Sequence, residues 1–186
     1  MSIHNNRLYY ESTYESKGND FLALVKALSD LRGVDRLRIS SIEPTTIPDE
    51  LFDMMADPGH SLMPYLHIPM QSCCDRTLAG MKRKYGMREM TDFFDRATQA
   101  IPQLCLGTDL MVGFPGETES EFEETCDRFL ELPFAYCHVF TFSERAGTPA
   151  AKMDKQLQME EKRLRSARLR RLSAATRMSF HEKQLG

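Results

Sequence analysis

Short apolar runs alternate with longer segments of helical period along most of this 186-residue chain. The runs at 65–70, 104–114 and 134–143 have the length and residue types of strands, and residues 34–42 alternate apolar and polar side chains. A helical pattern separates each strand from the next. This order predicts parallel βαβ units, because parallel neighbours need a helical crossover between them. Four strands are too few for a closed barrel of eight.

The helical segments are recognised by apolar periodicity and by the residues that begin and end helices. Residues 20–31 place Phe21, Leu24, Val25, Leu28 and Leu31 on one stripe, and Gly33 ends the pattern. Asp75 is the expected N-cap of a short helix. The other predicted helices cover 48–58, 75–86, 87–102, 119–132 and 158–185.

Composition places the chain among ordinary globular proteins. The formal charge is −3 and 41% of the residues are hydrophobic, so the chain as a whole is not a polycation for nucleic acid. No apolar run approaches the roughly 18 residues of a membrane span. The opening MSIHNNRLYYEST has no apolar core of a signal peptide. We therefore expect a cytoplasmic protein with no membrane association.

The five cysteines have no spacing typical of a metal or cluster site, because neither C-x-x-C nor C-x-x-x-C occurs. We expect Cys105, Cys126 and Cys137 to be reduced thiols that pack as small hydrophobic side chains. Cys73 and Cys74 follow the end of a strand, so the same expectation is weaker for them. No metal ligand is predicted.

Each predicted strand ends in polar or conformationally unusual residues. These endings are SSIEP, PMQSCCD, GFPGE and FSERAGT, in chain order. Ligands of parallel βα folds bind at the carboxyl ends of the strands, where the loops converge. Four strand ends therefore point to one ligand site.

The GFPGE loop runs from a strand into a helix and invites comparison with phosphate-binding loops. Gly113 and Gly116 carry no Cβ, so the backbone can approach a flat ligand. Thr118 and Glu121 form a predicted capping box. A phosphate is a poor fit, because three carboxylates would repel it and no glycine-rich phosphate motif can be fitted. We expect the loop to receive an uncharged ring or a cation.

The segment 158–185 is rich in arginine, which leaves two interpretations open. Its basic residues can form a solvated face beside an apolar stripe of Leu164, Leu172 and Ala175. They can instead contact phosphates of a nucleic acid.

Four stretches together resemble the radical S-adenosylmethionine methylthiotransferases. They are SSIEP, HIPMQS followed by CCDRTLAGMKRKY, TDLMVGFPGETESEFEET, and HVFTFSERAGTPAAKM. They follow the order and spacing of that family from about residue 18 to the end of the chain. Such enzymes add sulfur and a methyl group to tRNA adenosines or, in one branch, to a ribosomal protein. SSIEP and HVFTFSERAGT resemble the branch that acts on threonylcarbamoyladenosine.

The resemblance implies contacts with S-adenosylmethionine at the strand ends. Ser143 and Arg145 would meet the cofactor carboxylate or an RNA phosphate. A surface carboxylate at Glu43 and a loop-stabilising role for Gln71 and Ser72 remain alternatives. His67 and His138 are interpreted as core histidines, and no catalytic residue is assigned. The full set of expected cofactor contacts is Glu43, Gln71, Ser72, Asp109, Val112, Gly113, Phe114, Ser143 and Arg145.

The chain also departs from the family pattern. Residues 71–74 read Gln-Ser-Cys-Cys where the family has Gln-Ser-Gly-Ser, and the C-x-x-x-C-x-x-C motif for a [4Fe–4S] cluster is missing. We expect residues 1–17 to be an extension of uncertain structure and residues 18–186 to form part of a radical S-adenosylmethionine barrel that ends in a basic helix. The cluster-binding amino-terminal part and the carboxy-terminal RNA-binding barrel are expected to be absent.

The resemblance implies an α/β fold in which parallel βα repeats form about four strands of a partial TIM-like barrel. The implied function is that of a fragment of an enzyme that adds a methylthio group to C2 of threonylcarbamoyladenosine in tRNA. The cofactors would be S-adenosylmethionine and, in the full-length parent only, [4Fe–4S] clusters. The isolated chain is expected to be inactive, and a homodimer through the exposed edge of residues 34–42 is expected.

Two other functions remain open. The first is a non-catalytic RNA-binding or regulatory remnant of such an enzyme, supported by the basic last helix alone. The second is an unrelated βα-barrel enzyme, which would need acid–base pairs beyond Glu43 and Asp109.

Overall fold

The computed structural model describes residues 21–44 and 47–185. The described residues fall into two compact units, the first formed by 21–38 and 48–63 and the second by 39–44, 47 and 64–185. The predicted extension at 1–17, including its tyrosine-rich segment, lies outside the described residues.

Six helices and three strands follow one another along the described residues, and at least one helix separates each strand from the next. A short 3-10 helix, Ala150–Lys152, precedes the last of them. In chain order they are α1 (Phe21–Ser29), α2 (Glu50–Ala56), β1 (Tyr65–His67), α3 (Asp75–Gly80), α4 (Met87–Ala100), β2 (Cys105–Val112), α5 (Glu119–Glu131), β3 (Tyr136–Thr141) and α6 (Met159–Glu182).

The second unit contains a three-stranded parallel sheet in the order β1-β2-β3. His67 of β1 lies opposite Gly107 of β2, and Asp109 of β2 lies opposite His138 of β3. Helices connect consecutive strands, as parallel pairing requires. The α/β class with parallel βα repeats is therefore confirmed, and the described sheet has three strands rather than four.

Aromatic side chains form much of the core of the second unit. Phe94 of α4 packs edge-to-face on Phe134, which stacks on Phe129 of α5. Five apolar side chains at helical spacing along α4 and at its carboxyl end are all buried: Met90, Phe93, Phe94, Ala97 and Ile101. Full burial of each large side chain stabilises the fold by roughly 1.5–3 kcal/mol, so this helix is held by its periodic face.

Two predictions for residues 21–42 are wrong. Residues 34–42 do not form a strand, since Leu37 makes only an isolated parallel bridge to Leu62. The argument for a homodimer required an exposed strand edge at these residues, and that strand does not form. On α1, Leu24 is more than half exposed and only Val25 is buried, so the predicted stripe does not pack as one face.

Two helix starts were predicted from their capping residues. Thr118 and Glu121 form the expected capping box at the start of α5. Asp75 is not an N-cap: Cys74 holds that position, and the Asp75 carboxylate accepts the Met87 N–H at 2.7 Å. Asp75 therefore orders the start of α4 instead of its own helix.

The apolar stripe predicted for the last helix is wrong. Leu164 is 64% exposed, while the buried residues of α6 are mostly polar or charged. The residues that α6 buries are Lys162, Arg165, Ser166, Leu169 and Ser173.

Of the helices that the structure describes, none combines the length and the hydrophobicity that a membrane span requires.

Candidate functional site

A cavity of about 400 Å³ opens at the carboxyl ends of the strands in the second unit. Its volume lies within the roughly 300–1,000 Å³ of small-molecule sites. It combines aromatic, thioether, amide and cationic side chains. The residues that line it are Gln71, Gly80, Met81, Lys82, Arg83, Met111, Phe114, Phe142, Thr148, Pro149, Ala150 and Met153.

Gln71 is held against this cavity by its backbone. Its N–H donates to the Asp109 carbonyl and its carbonyl accepts the Met111 N–H, both at 2.8 Å. Its φ is +74°, a conformation that costs energy for a residue with a Cβ. The chain turns here just after β1 while keeping its pairing with β2, and this geometry positions Gln71 at the cavity.

Phe114 and Phe142 form an aromatic wall of the cavity. Their ring centroids are 5.6 Å apart in an edge-to-face arrangement, and both rings are largely buried. Phe114 lies two residues after the end of β2, and Phe142 follows β3 directly. An aromatic wall at two neighbouring strand ends suits a flat, weakly polar ring.

The GFPGE loop is held by contacts with a side chain of α6. Glu117 is buried, and its Oε2 accepts both the Gly113 N–H and Arg165 Nη1 at 2.7 Å. Glu119 also pairs with Arg165, at 3.1 Å. The acidic residues after the glycines therefore bind a cation as predicted, but this cation is a side chain of α6.

The missing Cβ of Gly113 also has a packing role, and ligand approach at this glycine stays a prediction. A Cβ at Gly113 would lie 2.5 Å from Cγ of Lys162, and φ is +75°. The missing side chain makes room for α6. Gly116 has a similar φ of +84° without a neighbouring atom within 4 Å of an added Cβ.

Burial raises the pKa of Glu117 above its ordinary value, while the Gly113 N–H and Arg165 act in the opposite direction. Both donors bind best to the ionised carboxylate. These two donors therefore favour the ionised form of the carboxylate. The carboxylate in turn holds the loop against α6 through the Gly113 N–H and Arg165.

A second polar group, the His–Asp–His cluster (His67, Asp109 and His138), lies on one face of the sheet. Asp109 Oδ1 is 3.0 Å from His67 Nε2 and 3.3 Å from His138 Nδ1. Tyr136 Oη lies 3.2 Å from His67 Nδ1 and 2.5 Å from Tyr65 Oη. His67 is buried with both ring nitrogens engaged, as predicted. His138 is 54% exposed, so its interpretation as a core histidine is wrong.

The expected cofactor contacts separate into three groups. Gln71 and Phe114 line the cavity together. Ser72 and Val112 are completely buried, and the Ser72 hydroxyl contacts Thr125 and the Cys74 N–H, which favours the loop-stabilising alternative. The remaining expected contacts do not line the cavity: Asp109 lies in the His–Asp–His cluster, Gly113 contacts α6, and Glu43, Ser143 and Arg145 are exposed.

Sequence reasoning missed several lining residues. Lys82 and Arg83 follow α3 within the basic run MKRKY, and Lys82 has a φ of +58°. The run itself was the available signal, since two adjacent cations in the loop after α3 suit an anionic group. Thr148 and Met153 come from the loop before α6, whose path cannot be read from periodicity.

The cysteines do not fit an iron–sulfur cluster. Burial raises the pKa of Cys126 and Cys137 to about 11 each, and it also raises the pKa of Cys73 and Cys74. A cluster needs several convergent thiolates. Among the described residues, which include all five cysteines, no group of three or more metal-ligand side chains contains a thiol.

The parallel βα sheet with a cavity at its carboxyl end defines an α/β protein with a ligand site at the strand ends. A family model described as the radical SAM superfamily matches residues 10–129. The chain belongs to the radical SAM superfamily.

Relatives within the superfamily are tRNA-modifying enzymes. The chain is 41% identical to threonylcarbamoyladenosine tRNA methylthiotransferase from Bacillus subtilis, over 86% of this chain and 35% of the relative. It is 37% identical to a tRNA-2-methylthio-N(6)-dimethylallyladenosine synthase from Paenarthrobacter aurescens, over 89% of this chain and 32% of the relative. The chain thus spans about a third of the length of these relatives.

A solved structure agrees with the fold. Coproporphyrinogen III oxidase from Escherichia coli, a radical SAM enzyme, aligns with a TM-score of 0.56 over 72% of this chain and 30% of its own. The identity is 18%, so this likeness concerns the fold alone.

Proposed function

We propose that this chain is part of a radical S-adenosylmethionine methylthiotransferase that modifies C2 of threonylcarbamoyladenosine in tRNA. The observation that carries the proposal is the cavity at the strand ends, because it lies where a parallel βα fold binds its ligand. The named relatives supply the reaction class. The proposed location is the cytoplasm, and the proposed macromolecular partner is tRNA.

We propose that the cavity holds S-adenosylmethionine. Phe114 and Phe142 offer an aromatic wall to the adenine, and Gln71 offers an amide. Lys82 and Arg83 are suited to the carboxylate of the cofactor. The cofactor supplies the radical chemistry, while these residues bind and orient it. No step is assigned to an iron–sulfur cluster of this chain, since its cysteines do not fit one.

The cofactor assignment is tested by isothermal titration of the chain with S-adenosylmethionine. Phe114→Ala and Gln71→Ala should weaken binding at least about tenfold, while Ser179→Ala, at an exposed position on α6, should not. Circular dichroism of each variant verifies folding. Equal affinities in all variants, or no binding by the wild-type chain, would contradict the assignment.

The substrate assignment is tested by interrupting the gene that encodes this chain. Mass spectrometry of tRNA nucleosides should show loss of 2-methylthio-N6-threonylcarbamoyladenosine and accumulation of its precursor. Loss of the dimethylallyl nucleoside instead would assign the other branch. An unchanged nucleoside profile would refute the methylthiotransferase function.

A non-catalytic RNA-binding module remains the second candidate, because one observation favours it. Arg170 and Arg177 line a groove of about 330 Å³ beside β3 with His138 and Phe140. Under this alternative, the chain binds tRNA with strong salt dependence and S-adenosylmethionine does not bind. Arg177→Ala should then reduce the salt slope by about one.

A further inference from the structure

The His–Asp–His cluster presents three metal-ligand atoms at one place on the sheet. One atom from each of His67, Asp109 and His138 lies within 4.8 Å of the other two. The parallel register produces this arrangement. Asp109 of β2 lies opposite His138 of β3, and His67 of β1 lies opposite Gly107, two residues before Asp109 on the same face of β2. Two imidazoles and one carboxylate on three adjacent strands form a compact donor set.

The spacing of the donor atoms suits a small transition metal ion. Tetrahedral ligands at about 2.0–2.1 Å from Zn²⁺ lie roughly 3.3–3.4 Å from one another. Asp109 Oδ1 already lies 3.0 Å from His67 Nε2 and 3.3 Å from His138 Nδ1. His138 is more than half exposed, so its ring can adjust to close the remaining distance.

The surroundings of His67 provide an independent observation. Its Nδ1 lies 3.2 Å from Tyr136 Oη, which in turn contacts Tyr65 Oη. A partner on Nδ1 leaves Nε2 directed at Asp109 and fixes the ring orientation, as partners of metal-bound histidines do. Gly107 permits this contact, because a Cβ there would overlap the Tyr136 ring.

We propose that His67, Asp109 and His138 bind a divalent first-row transition metal ion, with Zn²⁺ as the reference ion. Two imidazoles and a carboxylate form a donor set found with Zn²⁺ and Fe²⁺. Three protein ligands leave coordination positions open on the exposed side, where His138 meets solvent. The site involves no cysteine and does not depend on the proposed methylthiotransferase function.

The test uses the full chain stripped of metal with a chelator. Titration calorimetry with Zn²⁺ should show one site per chain. His138→Ala should weaken binding at least about tenfold, and its exposed position keeps the fold unaffected. His181→Ala removes another exposed histidine, on α6, and should leave the affinity unchanged.

A second variant tests the partner of His67. Tyr136→Phe keeps all three ligands and removes the hydroxyl at Nδ1, so Zn²⁺ should bind about tenfold more weakly. Substituting Co²⁺ gives an absorption spectrum that reports the ligand type. The expected spectrum has no thiolate-to-metal charge-transfer band.

Three results would overturn the proposal. They are the absence of binding by the wild-type chain, equal binding by His138→Ala and His181→Ala, and a thiolate signature with Co²⁺. In each case the cluster would be a hydrogen-bond network that orders the sheet face without a metal.

Discussion

At the scale of single residues, Arg165 is the least expected feature of the molecule. A guanidinium on a basic helix is ordinarily solvated, yet this one is buried against Glu117 and also contacts Glu119 and Glu161. Arg168, one turn further along, pairs with Glu123 in a partly exposed position. Arg165 therefore forms a buried ion pair with Glu117, and Arg168 forms a partly exposed ion pair with Glu123 of α5.

We predict that Glu117→Gln destabilises the fold strongly. Removing the buried partner of a buried charge costs up to about 3–5 kcal/mol, and Arg165 would keep only the more exposed carboxylates of Glu119 and Glu161. Glu123→Gln is the control, because its pair with Arg168 is partly exposed and screened by solvent, so its loss should change stability much less. Urea unfolding of both variants measures the difference. Similar losses for the two would show that Arg165 is adequately held by its other carboxylates.

A second prediction compares the two glycines of the GFPGE loop. Gly113→Ala and Gly116→Ala both place a Cβ at positive φ, at a cost of roughly 1–2 kcal/mol each. Only Gly113→Ala also meets Lys162, so it should lose a further 1–3 kcal/mol or so. Thermal unfolding gives the comparison. Adding Lys162→Ala to Gly113→Ala should remove the difference, and a persistent difference would contradict the packing explanation.

At the scale of elements, the pairing of α6 with β3 depends on polar contacts. Ser173 Oγ accepts the Cys137 N–H at 2.9 Å and donates to the Cys137 carbonyl at 2.8 Å. Arg170 donates to the Val139 carbonyl at 3.1 Å. β3 is an edge strand of the described sheet, so these side chains occupy backbone groups that a further strand would use.

We predict that Ser173→Ala destabilises the fold by about 2 kcal/mol. The substitution leaves a buried N–H and a buried carbonyl without this partner, and each such loss costs roughly 1–3 kcal/mol. Ser179→Ala on the exposed side of α6 is the control and should change stability by less than about 0.5 kcal/mol. Hydrogen exchange at Cys137 should also accelerate in Ser173→Ala. Unchanged exchange would mean that water replaces the hydroxyl.

At the scale of the whole molecule, the described chain provides a cavity but no cluster site. Aromatic and amide groups converge at the strand ends, whereas four of the five cysteines are buried and burial raises the pKa of each of these thiols. Under the proposed function, this chain orients the cofactor and its thiols do not ligate iron.

We therefore predict that the chain does not assemble a [4Fe–4S] cluster. Anaerobic reconstitution with iron and sulfide, followed by removal of excess reagents, should leave both elements substoichiometric. The metal analysis is repeated with His138→Ala, so that iron held by the His–Asp–His cluster is distinguished from a thiolate cluster. A stoichiometric cluster that responds to S-adenosylmethionine would contradict the prediction.

The sequence by itself determined the alternation of elements and the edge of the sheet that carries the cavity. Strand and helix periods are local properties, and parallel strands bring their carboxyl ends to one edge whatever their partners. The family resemblance supplied Gln71 and Phe114 as expected cofactor contacts, and both residues line the cavity at this edge. The capping box of Thr118 and Glu121 was equally readable, because it depends on residues three positions apart.

Only the tertiary structure decided which face of α6 is buried. Periodicity favoured Leu164, but the buried Glu117 selects Arg165, and this pairing joins residues 48 positions apart. The His–Asp–His cluster likewise depends on strand register, which brings Asp109 to His67 and to His138. Ion pairs and cross-strand contacts follow from three-dimensional proximity, so a pattern of local hydrophobicity cannot encode them.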